Sequence, residues 1–167
     1  MIALAFKYAN LDDFLSRTIK ERTGGQFSHV ELWLSGEGKS AVCYSSRGNG
    51  TSLEVIDITD PKIWNVVPVQ SFSPLKEDEL LWFCKGSSGR AYDAIGLVGI
   101  GWDLPVVHDP YDRFCSEACF EALQSVGGLF LNIGPRWMVA PSGHPKGGFG
   151  LFEMIIDLNT HFGAKGN

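Results

Sequence analysis

The chain has 167 residues, 44 % of them hydrophobic, which suits one domain with a sizeable core. Its net charge of −5 and the lack of a basic stripe argue against a nucleic-acid partner. No apolar run is long enough to span a bilayer, and no block of like charge suggests a tail or a polybasic membrane patch.

In chain order, Ile2 to Tyr8 reads as a strand, too short in its apolar part to be a signal-peptide core. The expectation is therefore a cytosolic protein whose four cysteines stay reduced. Leu11 to Arg22 reads as a helix with Phe14, Leu15, Thr18 and Ile19 inward, Asn10 as N-cap and Gly24-Gly25 as the stop. Val30, Leu32 and Leu34 alternate with His29, Glu31 and Trp33, the pattern of a strand with one apolar face. Ser35 to Lys39 supplies a hairpin loop with two glycines. A five-residue loop would set Leu32 opposite Val42 and His29 opposite Ser45. Strands are also expected at Leu53 to Ile58 and Trp64 to Val69, with a turn at Gly48-Asn49-Gly50.

The second half is helical. Lys76 to Cys84 places Leu80, Leu81 and Phe83 inward, Tyr92 to Ile100 carries glycines, and Cys115 to Val126 has Ala118, Cys119, Ala122 and Leu123 at helical spacing. Gly134 to Gly150 reads as loop, and Phe152 to Leu158 as a last strand. The fold class is α+β, an antiparallel sheet packed against helices, in a single domain over 1–167.

The chemistry concentrates at Cys115. In Phe114-Cys115-Ser116-Glu117 the cysteine opens a helix, where the macrodipole and unpaired backbone N–H groups favour a thiolate. Cys119, one turn deeper between Ala118 and Phe120, reads as core. His29 is the only histidine inside a regular element and the natural base for such a thiol, whereas His108, His144 and His161 read as surface. Two residues compete to orient His29: Glu31, two positions along on the same face, and Ser45, across the inferred hairpin. The carboxylate is preferred because it stabilises an imidazolium. Tyr92 would line the substrate groove or offer its hydroxyl, beside the backbone N–H of Cys115, to an oxyanion. Gly96-x-x-Gly99-x-Gly101 lacks the strand-turn-helix setting of a dinucleotide site, and Cys115, Cys119 and His29 lack a fourth zinc ligand. No metal or organic cofactor is required.

Together, Ser28-His29-Val30-Glu31-Leu32, Tyr92-Asp93 and Phe114-Cys115-Ser116-Glu117 resemble the circularly permuted NlpC-type papain-like cysteine hydrolases, with the lecithin retinol acyltransferase group as a broader relative. Histidine before cysteine is the reverse of the papain order. The resemblance spans roughly Phe27 to Val126 as three short motifs. It implies a permuted papain-like fold, Cys115 as nucleophile and His29 as base, with Glu31 and Ser45 both open as the third member. The implied substrate is a peptide or an acylated small molecule, peptidoglycan fragments among them. Ala41-Val42-Cys43-Tyr44-Ser45-Ser46 is similar to phage and prophage versions, which implies a virion-associated alternative to the cytosol. Wall-acting members usually carry an export signal or a wall-binding module, and neither is read here. A catalytically inactive binding or virion-structural module, or an acyltransferase or ester hydrolase of the same chemistry, are the rival readings. Oligomeric state has no sequence signature here.

Overall fold

The alternation of apolar residues in the first half builds a five-stranded antiparallel sheet, seen in a computed structural model that describes residues 2–69, 74–93, 111–127, 139–141 and 149–163. The elements are β1 (Ala3–Tyr8), α1 (Phe14–Thr23), β2 (Phe27–Ser35), β3 (Ala41–Arg47), β4 (Gly50–Ile56), β5 (Trp64–Pro68), α2 (Pro74–Ser87), α3 (Cys115–Gly127), β6 (Val139–Ala140), β7 (Phe149–Gly150) and α4 (Leu151–Gly163). The strand order is β4-β3-β2-β1-β5, and β6 and β7 form a separate short parallel pair. The α+β expectation therefore holds, with the antiparallel sheet packed against helices.

One face of the sheet carries the main core. Leu4 and Phe6 of β1, Val30 and Leu32 of β2 and Tyr44 of β3 pack with Leu80 of α2, Phe120 and Leu123 of α3, and Leu151 of α4. Each such fully buried side chain is worth about 1.5–3 kcal/mol of transfer free energy. Phe6, Phe27, Tyr8 and Phe152 add a chain of ring contacts with centroids 4.7–5.4 Å apart. The opposite face holds a smaller cluster of Ala5, Ala41, Cys43, Ile58 and Trp64.

Three expectations need correction. The first helix begins at Phe14 and not at Leu11, because Asp13 is the N-cap: its carboxylate accepts the Ser16 N–H at 2.7 Å, while Asn10 instead accepts the N–H of Asp12. Of its expected inward side chains only Ile19 is buried, joined by Thr23, and Phe14 is 66 % exposed. The hairpin register also differs. Leu32 pairs with Tyr44 and not with Val42: at the turn Ser35 already sits opposite Val42, three residues beyond the expected register, and a bulge between Trp33 and Ser35 takes one of these back. A shift of two residues preserves which face each side chain occupies, so the apolar pattern alone does not detect it. Finally, Phe152 to Leu158 is helix: Leu151 and Ile155, four apart, are the buried pair, a helical period inside a short apolar run.

The helix expected from Tyr92 to Ile100, the glycine motif at 96–101 and most of the loop from Gly134 lie outside the described residues. Tyr92 itself forms a bridge with Arg113.

Gly50 ties the sheet to the segment leading to Tyr92. Its φ is +100°, and a Cβ there would lie 2.3 Å from the Arg90 carbonyl oxygen, which accepts the Thr51 N–H at 2.8 Å. Gly50→Ala is expected to lower folding stability by about 1–3 kcal/mol in urea titration, because both the strained φ and the backbone contact oppose a side chain.

Candidate active site

The site forms where β2 begins and β3 ends, against the start of α3. A cavity of about 310 Å³ opens there, and His29, Cys115, Tyr92, Arg47, Lys7 and Leu15 are among the residues that line it. Cys115 is the first residue of α3 and only 4 % exposed, so the cavity is its route to solvent.

Two sets of contacts hold Cys115 in place. Before it, the Arg113 backbone is fixed on both sides: its N–H donates to Ala91 O at 3.1 Å, and its carbonyl accepts the Asp93 N–H at 3.2 Å and the Ser46 hydroxyl. The Arg113 guanidinium is bonded to Glu121, 2.6 Å away and two turns along α3, where Arg90 joins at 3.1 Å. After it, Glu117 reaches back to the Phe114 N–H at 3.3 Å, the carboxylate half of a capping box. Burial pushes the Glu117 carboxyl up from 4.5 to about 8, against the lowering effects of that bond and of Arg113.

His29 stands where β2 meets the cavity. Its Nε2 lies 2.6 Å from Glu31 Oε1, and the Cys115 side chain is close enough to the ring to act on its charge. Burial of the ring opposes the imidazolium, but the charge and hydrogen bond of Cys115, then those of Glu31, outweigh it and raise His29 from 6.5 to about 10. Glu31 is 1 % exposed, and the same Oε1 accepts from Arg47 Nη2 at 2.6 Å and Nε at 3.1 Å. Arg47 in turn pairs with Glu54, which accepts from Ser52 at 2.8 Å. A relay therefore runs from Cys115 through His29 and Glu31 to Arg47.

Of the residues singled out from sequence, Cys115, His29, Glu31 and Tyr92 come together. Ser45 does not join them: it is buried, and its hydroxyl donates to Val30 O at 2.7 Å, so it neither reaches His29 nor lines the cavity. Tyr92 lines the cavity with its hydroxyl held protonated, its pKa raised by burial and then by the neighbouring Cys115 and Asp93 charges. Cys119 is core, within 3.7 Å of the Val30 and Tyr44 carbonyls, and burial raises its thiol well above the usual range. His108 and His144, and the side chain of His161, lie outside the described residues. Arg47, Lys7 and Glu117 were not foreseen. Arg47 had one available signal, a cation at a strand end on the face shared with Glu31.

Scanned against known protein families the chain matches none, and no curated protein matches it in sequence. What fold and site together define is an α+β protein with a cysteine–histidine–carboxylate constellation at a cavity.

Two titrations follow from these shifts. The His29 imidazolium, followed by NMR, is expected to hold its proton past pH 9, and Cys115→Ala should lower the midpoint because the largest raising influence is gone; an unmoved midpoint would assign the shift to Glu31 alone. For Glu117, the folded chain keeps a proton up to about pH 8 that the unfolded chain releases near 4.5, so this group withdraws stability as pH rises between the two. Glu117→Gln should therefore gain in melting temperature over the wild type progressively from pH 5 to 8.

Proposed function

We propose that the protein is a thiol-dependent hydrolase that cleaves an amide or ester bond through an acyl-enzyme on Cys115. The observation that carries this reading is the Cys115–His29–Glu31 relay at the wall of an accessible cavity. The order of the motifs supports a permuted papain-like hydrolase of the NlpC type, and a cell-wall peptide or a similar acylated compound is the substrate class that resemblance favours. A phage or prophage origin belongs to the same proposal.

In this mechanism the pair rests with its proton on His29, consistent with an imidazolium that persists to about pH 10. Nε2 is occupied by Glu31, which leaves Nδ1 to face the sulfur. The Cys115 thiolate attacks the carbonyl carbon and forms the S–C bond. The oxyanion is met by the Cys115 N–H, which has no partner within the helix at this first position, and by the Tyr92 hydroxyl. His29 donates its proton to the leaving nitrogen or oxygen as that bond breaks, giving a thioester. It then takes a proton from water, which attacks the thioester and releases the acid, and the thiolate is restored. Glu31 keeps the ring oriented and balances its charge throughout.

With p-nitrophenyl acetate and peptide p-nitroanilides as probes, mass spectrometry should find the acyl group on Cys115. His29→Ala should lower kcat/KM by roughly 10²–10⁴-fold, the range of general acid–base catalysis. Turnover that survives Cys115→Ala would remove the proposal, and absence of any acyl adduct would favour a non-catalytic binding or virion-structural role for the same cleft.

A further inference from the structure

The charge of the cavity wall is opposite to that of the chain. The protein carries a net −5, yet among the described residues that line the cavity there are Lys7, Arg47 and His29 and no aspartate or glutamate. These cations are not equivalent. Arg47 spends its guanidinium on Glu31 and Glu54, and His29 is shared between Glu31 and Cys115. Lys7 pairs with His29 across β1 and β2, so its side chain rises beside the base, and its Nζ lies 6.0 Å from the centroid of the Trp64 ring. Asp13 is near enough to feel the Lys7 charge, but its carboxylate is engaged in capping α1 through Ser16, and it does not line the cavity. Lys7 is thus the cation at the cavity with no ion-pair contact to a carboxylate among the described residues.

We propose that Lys7 binds a carboxylate of the substrate, so that the cavity selects an anionic carbonyl compound whose carboxylate lies near the bond attacked by Cys115. This rests on the acyl-transfer reading above and specifies its substrate. A carboxylate fits better than a phosphate. The fork of Arg47, the group suited to bidentate phosphate recognition, is already taken, and a lysine offers a single mobile point charge. Lys7 is exposed, so the expected effect is that of a partly solvated charge pair rather than a buried one.

Iodoacetate and iodoacetamide separate this proposal from the reading it rests on. Both lose iodide as the Cys115 sulfur bonds their methylene carbon, and they differ in that one carries a carboxylate. The ratio of their rates cancels the intrinsic reactivity of the thiol and reports the anion's local attraction, with glutathione as the reference. Labelling is read on the Cys115 peptide by mass spectrometry. The wild-type ratio should exceed that of glutathione and shrink with added salt. Lys7→Gln should lower it roughly three- to fivefold, while Lys7→Arg retains it. A ratio unchanged in Lys7→Gln, with circular dichroism showing the fold intact, would overturn the role of Lys7 and assign the attraction to His29. A Cys115 that reacts with both reagents no faster than glutathione would instead defeat the acyl-transfer reading, and the ratio would still report on Lys7.

Discussion

A carboxylate withdrawn from water is the constraint on which this site depends. Glu31 is almost fully buried, and a lone buried charge is strongly destabilising unless it is paired and hydrogen-bonded. Here a single oxygen, Oε1, is approached by three donors from two sides: His29 at 2.6 Å on its own strand, and Arg47 at 2.6 and 3.1 Å from the neighbouring one. The arrangement does more than compensate the charge. It locks the imidazole in one orientation, because Nε2 has a fixed partner, and it couples that orientation to the alignment of β3 against β2. The β2–β3 register, two residues beyond that of a five-residue loop, is what brings Arg47, rather than Ser45, alongside the site.

Cys115 is positioned by an independent set of forces. Sheet and helices meet at the Arg113 backbone, held by Ala91, Asp93 and Ser46, and the Arg113–Glu121–Arg90 cluster fastens the same segment to the body of α3. Gly50 allows the Arg90 carbonyl to approach β4, so the segment carrying Tyr92 is fixed to the sheet as well. His29 and Cys115 are thus anchored to different elements and meet only at the cavity. The proposed acyl transfer would depend on such rigid support, since a small displacement of either group would misalign the proton transfer.

How much of this was legible beforehand follows from the range of the interactions involved. Cys115 was readable because a polar helix start is a local pattern, and Glu31 because it lies two residues from His29 on the same face. The sheet was readable from alternation, though not its register: a two-residue shift leaves every side chain on its original face, and only the loop and bulge geometry distinguishes Val42 from Tyr44 as the partner of Leu32. Arg47 was lost with that register. Lys7 is 22 residues from His29 and reaches it only through β1–β2 pairing. The last helix is hidden for a different reason: the seven residues Phe152 to Leu158 carry both periods, and Phe152 packs against Phe6 and Phe27 from a helix.

The four cysteines bring these effects together. All are buried thiols of one chemical type. Burial alone governs Cys84, pushed up to about 12, and it is the largest influence on Cys43, also at about 12, and on Cys119. None of these three lines the cavity or bonds to a histidine. Cys115 has what the others lack: a helix start behind it, an imidazole whose charge is sustained by a buried carboxylate, and an opening to solvent. Burial works against the His29 imidazolium, and the influence of Cys115, then of Glu31, outweighs it. Removing Cys115 leaves His29 with Glu31 alone to offset that desolvation.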